Sequence, residues 1–165
     1  SYAIQKDFAT AFFLARDYET SLGHWRRLVQ VYPARTDVWD GLGRTLLQLG
    51  RFPEATEAYQ EWATLAGVGT EPVARFVTSV AEHRRTGMEL PGLPEFDDPT
   101  LIPGQLFRFR YVLLGLDDVQ LDSLQVSLER GVRPIGTWGH PFWDPLRDHP
   151  RFQALLDEYA DDVEH

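Results

Sequence analysis

The chain has 165 residues, 43% of them hydrophobic and 13% aromatic, enough apolar surface to bury the core of one domain or of a short repeat array. A formal charge of −9, from 25 acidic against 16 basic residues, excludes a phosphate-tracking surface and with it nucleic acid as a partner. The lack of cysteine excludes disulfides, a thiol nucleophile and a zinc–thiolate site.

No apolar run approaches the roughly twenty residues of a membrane span, so membrane insertion is not expected. Lys6 is the one lysine and every other basic residue is arginine, a skew that reads as the codon bias of a GC-rich bacterium. The opening SYAIQKDF has neither an initiator Met nor the apolar block of a signal peptide, and the chain reads as a piece of a longer protein. Cytoplasm and periplasm both fit, with the cytoplasm favoured.

Helical periodicity runs along nearly the whole sequence, and no sustained two-residue alternation is flanked by hairpin turns, so the expected class is all-α. In the first segment, Leu22, Trp25, Leu28, Val29 and Tyr32 recur at three- and four-residue steps and line one helical stripe that Pro33 ends. Next, Trp39, Leu42, Leu46 and Leu49 form a stripe, with Thr36 or Asp37 expected as its N-cap and Gly50 at its C-terminal end. A further helix opens with Pro53 in its first turn, has Glu54 and Glu57 near the positive end of its dipole, and closes on Gly67.

These hairpins recur with a period of 34. In a unit from Thr36 to Gly69, Trp39 is fourth, Leu42 and Gly43 seventh and eighth, Gly50 fifteenth, Ala55 twentieth, Tyr59 twenty-fourth and Trp62 twenty-seventh. Stepping back one period, a unit from Tyr2 to Arg35 places Phe8, Ala9, Phe12, Ser21, Trp25, Leu28 and Pro33 in phase. The pattern resembles the tetratricopeptide repeat, with departures at Leu46, Trp62 and Gly67. Small residues at the eighth and twentieth places (Ala9, Gly43, Ser21, Ala55) let the helices of a hairpin approach, while the large ones wedge between hairpins. The GLG at 41–43 lies inside a helical stripe with no preceding strand and is not a dinucleotide-binding loop.

After these repeats (2–35 and 36–69) an extra helix is expected over 70–87, with Val73, Phe76, Val77 and Val80 on one face. A proline-rich loop over 88–103 cannot continue it; Leu90, Leu93, Phe96 and Leu101 argue that the loop is pinned to the surface, where it could cover part of a groove. A degenerate repeat follows over 101–134: its helices join at Gly115, Asp117 and Asp118 start the second, Leu121, Leu124 and Leu128 form the buried stripe, and Gln120 stands where a small residue belongs.

The segment HPFWDPLRDHPRF, 140–152, could be a metal site, an active site or a structural lock. Asp144, Pro145, Leu146, Arg147, Pro150, Arg151, Phe152, Leu155 and Leu156 resemble the closing element of bacterial tetratricopeptide proteins. The resemblance implies a right-handed superhelix of about three antiparallel hairpins with a capping C-terminal helix over 135–160. Phe142, Trp143, Leu146 and Phe152 would then cover the exposed apolar end of the stack, with Asp148 as N-cap of a last helix that Pro150 opens. The alternative, a metal or acid–base site from His140, Asp144, Asp148 and His149, lacks any HExxH-type helical pair. His83 with Arg84 and Arg85 suits a helix C-terminus, the acid pairs Asp97–Asp98 and Asp117–Asp118 adjoin turns, and no nucleophile elbow is present, so no catalytic residue, metal or cofactor is assigned.

The resemblance also implies a concave groove lined by the first helix of each hairpin, which nominates Lys6, Phe13, Asp37, Asp40, Arg44, Gln48, Gln105 and Phe109. That mixed polar and aromatic surface suits a peptide or protein segment. Thr10 and Gly41 stand where a chaperone-type clamp for a free C-terminus has Asn. The expected function is a non-catalytic interaction or scaffold module, with homo-oligomerisation left open. The alternative is a helical accessory domain that contributes to an enzyme's active site or to a metal-dependent site around His140 and His149.

Overall fold

The structure is a computed structural model and describes residues 1–132 and 138–159. It is all-helical, with no strand among the described residues. Five long helices come first: α1 (Tyr2–Leu14), α2 (Tyr18–Val31), α3 (Thr36–Gln48), α4 (Phe52–Ala66) and α5 (Glu71–Thr86). Each packs against the next in chain order, and α1 also touches α3. Short polar stops separate them. Ser1 and Asp17 cap α1 and α2 by accepting the amides of Ile4 and Thr20, while Gly50, Gly67 and Gly87 take left-handed φ values of 73°, 74° and 70° where helices end.

The α3 cap differs from expectation. Thr36 begins the helix and Arg35 precedes it with no side-chain cap bond. The Asp37 carboxylate is drawn away by Tyr2, Lys6 and Arg35, which stabilise a charge more than an exposed first-turn amide does.

Large rings close on α3 where Cβ atoms are missing. A Cβ on Gly41 would lie 2.5 Å from the Trp25 ring, and one on Gly43 would lie 2.8 Å from the Tyr59 ring. Both aromatics are buried, so the glycines let a neighbouring helix bring a large ring to backbone distance. Ser21 Oγ, also buried, donates to Ala9 O at 2.7 Å and lies 3.5 Å from Thr45 Oγ1, which itself donates to Gly41 O.

The proline-rich segment is pinned. Phe96, in a 3₁₀ turn at Pro94–Asp97, is fully buried and meets the Phe76 ring edge-on at 5.1 Å. Arg75 pairs with Glu95 and Arg110 with Asp97, and Leu90 N donates to Leu114 O. The helix α5, left without a partner by the sequence, therefore packs against α4 on one side and this turn on the other.

The next hairpin departs from one continuous first helix. It is broken at Phe109 into α6 (Gly104–Arg108) and α7 (Arg110–Leu113), before α8 (Asp117–Glu129). Gln120 is the wedge: its carboxamide accepts from Val112 N at 3.2 Å and donates to Arg108 O at 3.1 Å. Those two backbone groups are the pair an unbroken helix would join directly, so an inserted amide opens the turn while leaving both satisfied.

A second 3₁₀ helix, Pro141–Leu146, and α9 (Pro150–Tyr159) complete the described chain. The last residues of the expected repeat and the first of the expected cap fall at 133–137, outside the described residues, as does residue 160. The helix α9 lies on α8, while the 3₁₀ helix packs on α7 and reaches back to α1. Phe142 meets Phe13 at 6.2 Å between centroids, and Asp144 receives Arg16 Nε and Nη2 at 3.1 and 2.6 Å. The segment therefore joins the last third of the chain to the first instead of covering only the far end. His149, not the exposed Asp148, supplies the N-terminal acceptor of α9, taking the Arg151 amide on Nδ1 at 3.2 Å.

Candidate functional site

The eight nominated groove residues separate into an exposed rim and a filled centre. At the rim, Asp37 accepts from the Tyr2 hydroxyl, from Lys6 Nζ at 3.1 Å and from Arg35 Nε at 3.2 Å, and the Arg35 guanidinium lies 3.9 Å over the Tyr2 ring. Burial raises the Asp37 pKa, but bonds from Arg35, Tyr2 and Lys6 outweigh it and hold the carboxyl down at about 2. Burial, followed by the hydrogen bond to Asp37, pushes the Tyr2 phenol up to about 12. The sequence did not single out Tyr2, which lies 35 residues from Asp37, or Arg35, which reaches Asp37 from just before α3.

Deeper in, Asp40 and Arg44 face each other at 3.8 Å, one turn apart on α3, and Arg44 lies over the Phe13 ring at 5.1 Å. Burial raises the Asp40 carboxyl above its ordinary range and raises the buried Tyr59 phenol well above its own. Among the described residues, Asp40 Oδ1, Arg44 Nε and the Tyr59 hydroxyl have no hydrogen-bond partner. Gln48 donates to Tyr18 Oη at 3.2 Å and accepts from Arg84 Nη2 at 2.7 Å. Arg84 also reaches Leu47 O at the end of α3, and burial lowers its guanidinium pKa. Gln105 stands apart from these networks, half-buried and with no hydrogen-bond partner for Oε1 among the described residues.

At the centre, Phe13 and Phe109 are buried beneath the chain's own segment. His140 stacks on Phe109 at 4.7 Å and meets the Phe13 ring at 5.7 Å, while Phe142 and Trp143 meet Phe109 edge-on at 5.4 and 4.8 Å. His140 Nδ1 accepts the Phe142 amide at 3.0 Å, which fixes that nitrogen as an acceptor. Burial, then the nearby Arg44 and Arg16 charges, lowers its pKa to about 3, so the ring is neutral at ordinary pH. The histidines of the alternative metal reading thus use Nδ1 for backbone amides. No group of three or more His, Asp or Glu side chains placed to share an ion occurs among the described residues.

A cavity of about 240 Å³ lies between α6, α7 and α8, lined by Phe107, Arg108, Phe109, Leu124, Ser127 and Trp143. The aromatic density of 140–152 was the sequence signal for this region; its seat on Phe13, more than a hundred residues away, had none. Among the described residues, no helix is long and apolar enough to cross a membrane. In comparisons with known proteins, the chain matches no family model, no curated sequence and no solved structure.

Proposed function

We propose that the chain is a non-catalytic interaction or scaffold module of the tetratricopeptide type, part of a larger bacterial protein, which holds a peptide or protein segment at the inner face of its first helices. The observation that supports this reading is that two rings one period apart, Trp25 of α2 and Tyr59 of α4, close on α3 from its two neighbouring helices at Gly41 and Gly43, a packing scheme that suits stacked hairpins. Because rings around His140 fill the middle of that face, the accessible part is the rim of Tyr2, Lys6, Arg35 and Asp37. Two cations, a carboxylate and a phenol suit the backbone amides, carbonyls and acidic groups of an extended segment.

Affinity capture by the purified chain, wild type against Lys6→Ala, tests the reading. A partner held by the wild type and at least tenfold weaker with the variant, at unchanged melting temperature, supports it. Equal capture removes the rim from the account, and turnover of a substrate by the chain itself overturns the non-catalytic reading.

A further inference from the structure

The cavity between α6, α7 and α8 is made by the break in the first helix of that hairpin. Phe107, Arg108, Phe109 and Arg110 are consecutive, and all four line it. Successive residues of an unbroken helix point about 100° apart, so four in a row cannot face one space. Here they do, because the chain turns at Phe109 between α6 and α7. Gln120 is buried, lines the same cavity and keeps the break open: its carboxamide occupies Val112 N and Arg108 O, which a continuous helix would join to each other. A small residue in that place would let the ladder close and the space close with it.

The lining divides into an apolar floor and a positive mouth. Phe109, Leu124 and Trp143 are buried and form the floor. Arg108 and Ser123 are exposed and stand at the mouth. The Arg108 guanidinium has no hydrogen bond or ion pair among the described residues, and the Ser123 hydroxyl has none either. The neighbouring Arg110 is committed, donating to Asp97 Oδ1, Phe107 O and Tyr111 Oη. No acidic residue is among the described residues that line the cavity, although the chain carries 25 acidic against 16 basic residues. The field at the mouth is therefore positive, in a protein that is negative as a whole.

We infer that this cavity binds a small organic anion built from one ring and a short carboxylate arm. The ring lies among Phe107, Phe109, Leu124 and Trp143, and the carboxylate meets Arg108, with Ser123 as a further donor. Size sets the class: a cavity of about 150 Å³ takes benzene, and drug-sized ligands occupy roughly 300–1,000 Å³. The 240 Å³ here suits a single ring and its arm. A purely structural role for Gln120 accounts for the satisfied backbone, but not for an unpaired arginine over an apolar floor. The site is separate from the rim of Tyr2, Lys6, Arg35 and Asp37, and the inference goes beyond the scaffold reading. Phe109 is also the ring on which His140 stacks at 4.7 Å, so a ligand packed against it raises the melting temperature of the whole fold.

The test is calorimetric titration of the full chain with benzoate, phenylacetate and 3-phenylpropionate, with acetate and phenylacetamide as controls and amide shifts mapped by NMR. At least one ring carboxylate is expected to bind at a single site at millimolar or lower concentration, shifting the amides of residues 107–110 and 124. Acetate is expected not to bind, and the neutral amide to bind more weakly than phenylacetate. Arg108→Gln should weaken the bound carboxylate by up to about fivefold, the most that an exposed ion pair contributes, and leave the amide unaffected. Ser123→Phe, which fills the cavity from an exposed position, should abolish binding at unchanged melting temperature. The inference is overturned if none of the three acids binds, if acetate binds as well as they do, or if Ser123→Phe binds like the wild type. Binding only of a short peptide ending in phenylalanine, and of no free acid, also overturns it. Lys6→Ala leaves this binding intact, so failure here and failure of the rim are distinguishable.

Discussion

Acidification should loosen this fold through His140 before most carboxylates protonate. The ring titrates near 6.5 in an unfolded chain and near 3 where it lies between Phe13, Phe109 and Phe142. Above pH 6.5 both states hold it neutral and the packing contributes in full. Below 6.5 the unfolded chain binds a proton that the folded one refuses, so stability falls as pH drops and the whole contribution is lost near pH 3. At ~1.36 kcal/mol per unit, the loss is about 2 kcal/mol at pH 5 and about 3 kcal/mol at pH 4. No discount for solvent screening applies, because His140 is only 6% exposed. A domain of this size has about 5–15 kcal/mol in total. The assay is urea unfolding followed by circular dichroism at pH 7.5, 6, 5 and 4 for wild type and His140→Asn, whose side-chain oxygen replaces Nδ1 as acceptor for the Phe142 amide but does not titrate. The variant is expected to be less stable at pH 7.5 and to close the gap on wild type by about 2 kcal/mol at pH 5. A difference independent of pH would refute the reasoning.

Gly41→Ala places a methyl 2.5 Å from the Trp25 ring and should cost about 1–3 kcal/mol in thermal or denaturant unfolding, whereas Gly23→Ala, with open space at its Cβ, should stabilise by up to about 1 kcal/mol. Equal effects would remove the glycine–ring contact as the basis of the register. Gln120→Leu leaves Val112 N and Arg108 O without their bridge; a loss of about 1–3 kcal/mol is expected, with faster hydrogen exchange at the Val112 amide, unless α6 and α7 fuse into one helix. The Arg16–Asp144 pair is more than a third exposed, so a double-mutant cycle should give a coupling under about 1 kcal/mol that shrinks in salt.

Much of the architecture could be read from local pattern. Proline and glycine punctuation and three-four periodicity place the helices to within a residue or two, because caps and turns depend on neighbours in sequence. The large rings Trp25 and Tyr59 were readable as wedges one period apart, and Gly43 as a place of close approach, but that Trp25 sits on Gly41 was not. The broken first helix of the third hairpin was half legible: Gln120 stood out as too large for its place, but that its amide would enter another helix's ladder depends on the orientation of α8. The site was legible in part. Lys6 and Asp37 do meet, yet Phe13 and Phe109 fulfil the aromatic half of the expected groove by holding His140 and Phe142. Nothing in a one-dimensional pattern says that residues 13 and 142 share a cluster; the packing of every helix between them decides it.

The account's central claim is that the segment around His140 locks the first helix to the last third of the chain by filling the inner face. Nuclear Overhauser contacts of the His140 ring protons test it most directly. The account predicts cross-peaks from that ring to the aromatic protons of both Phe13 and Phe109, with upfield-shifted imidazole resonances from stacking. Cross-peaks to Phe109 without any to Phe13, or imidazole shifts like those of a solvated histidine, would contradict it.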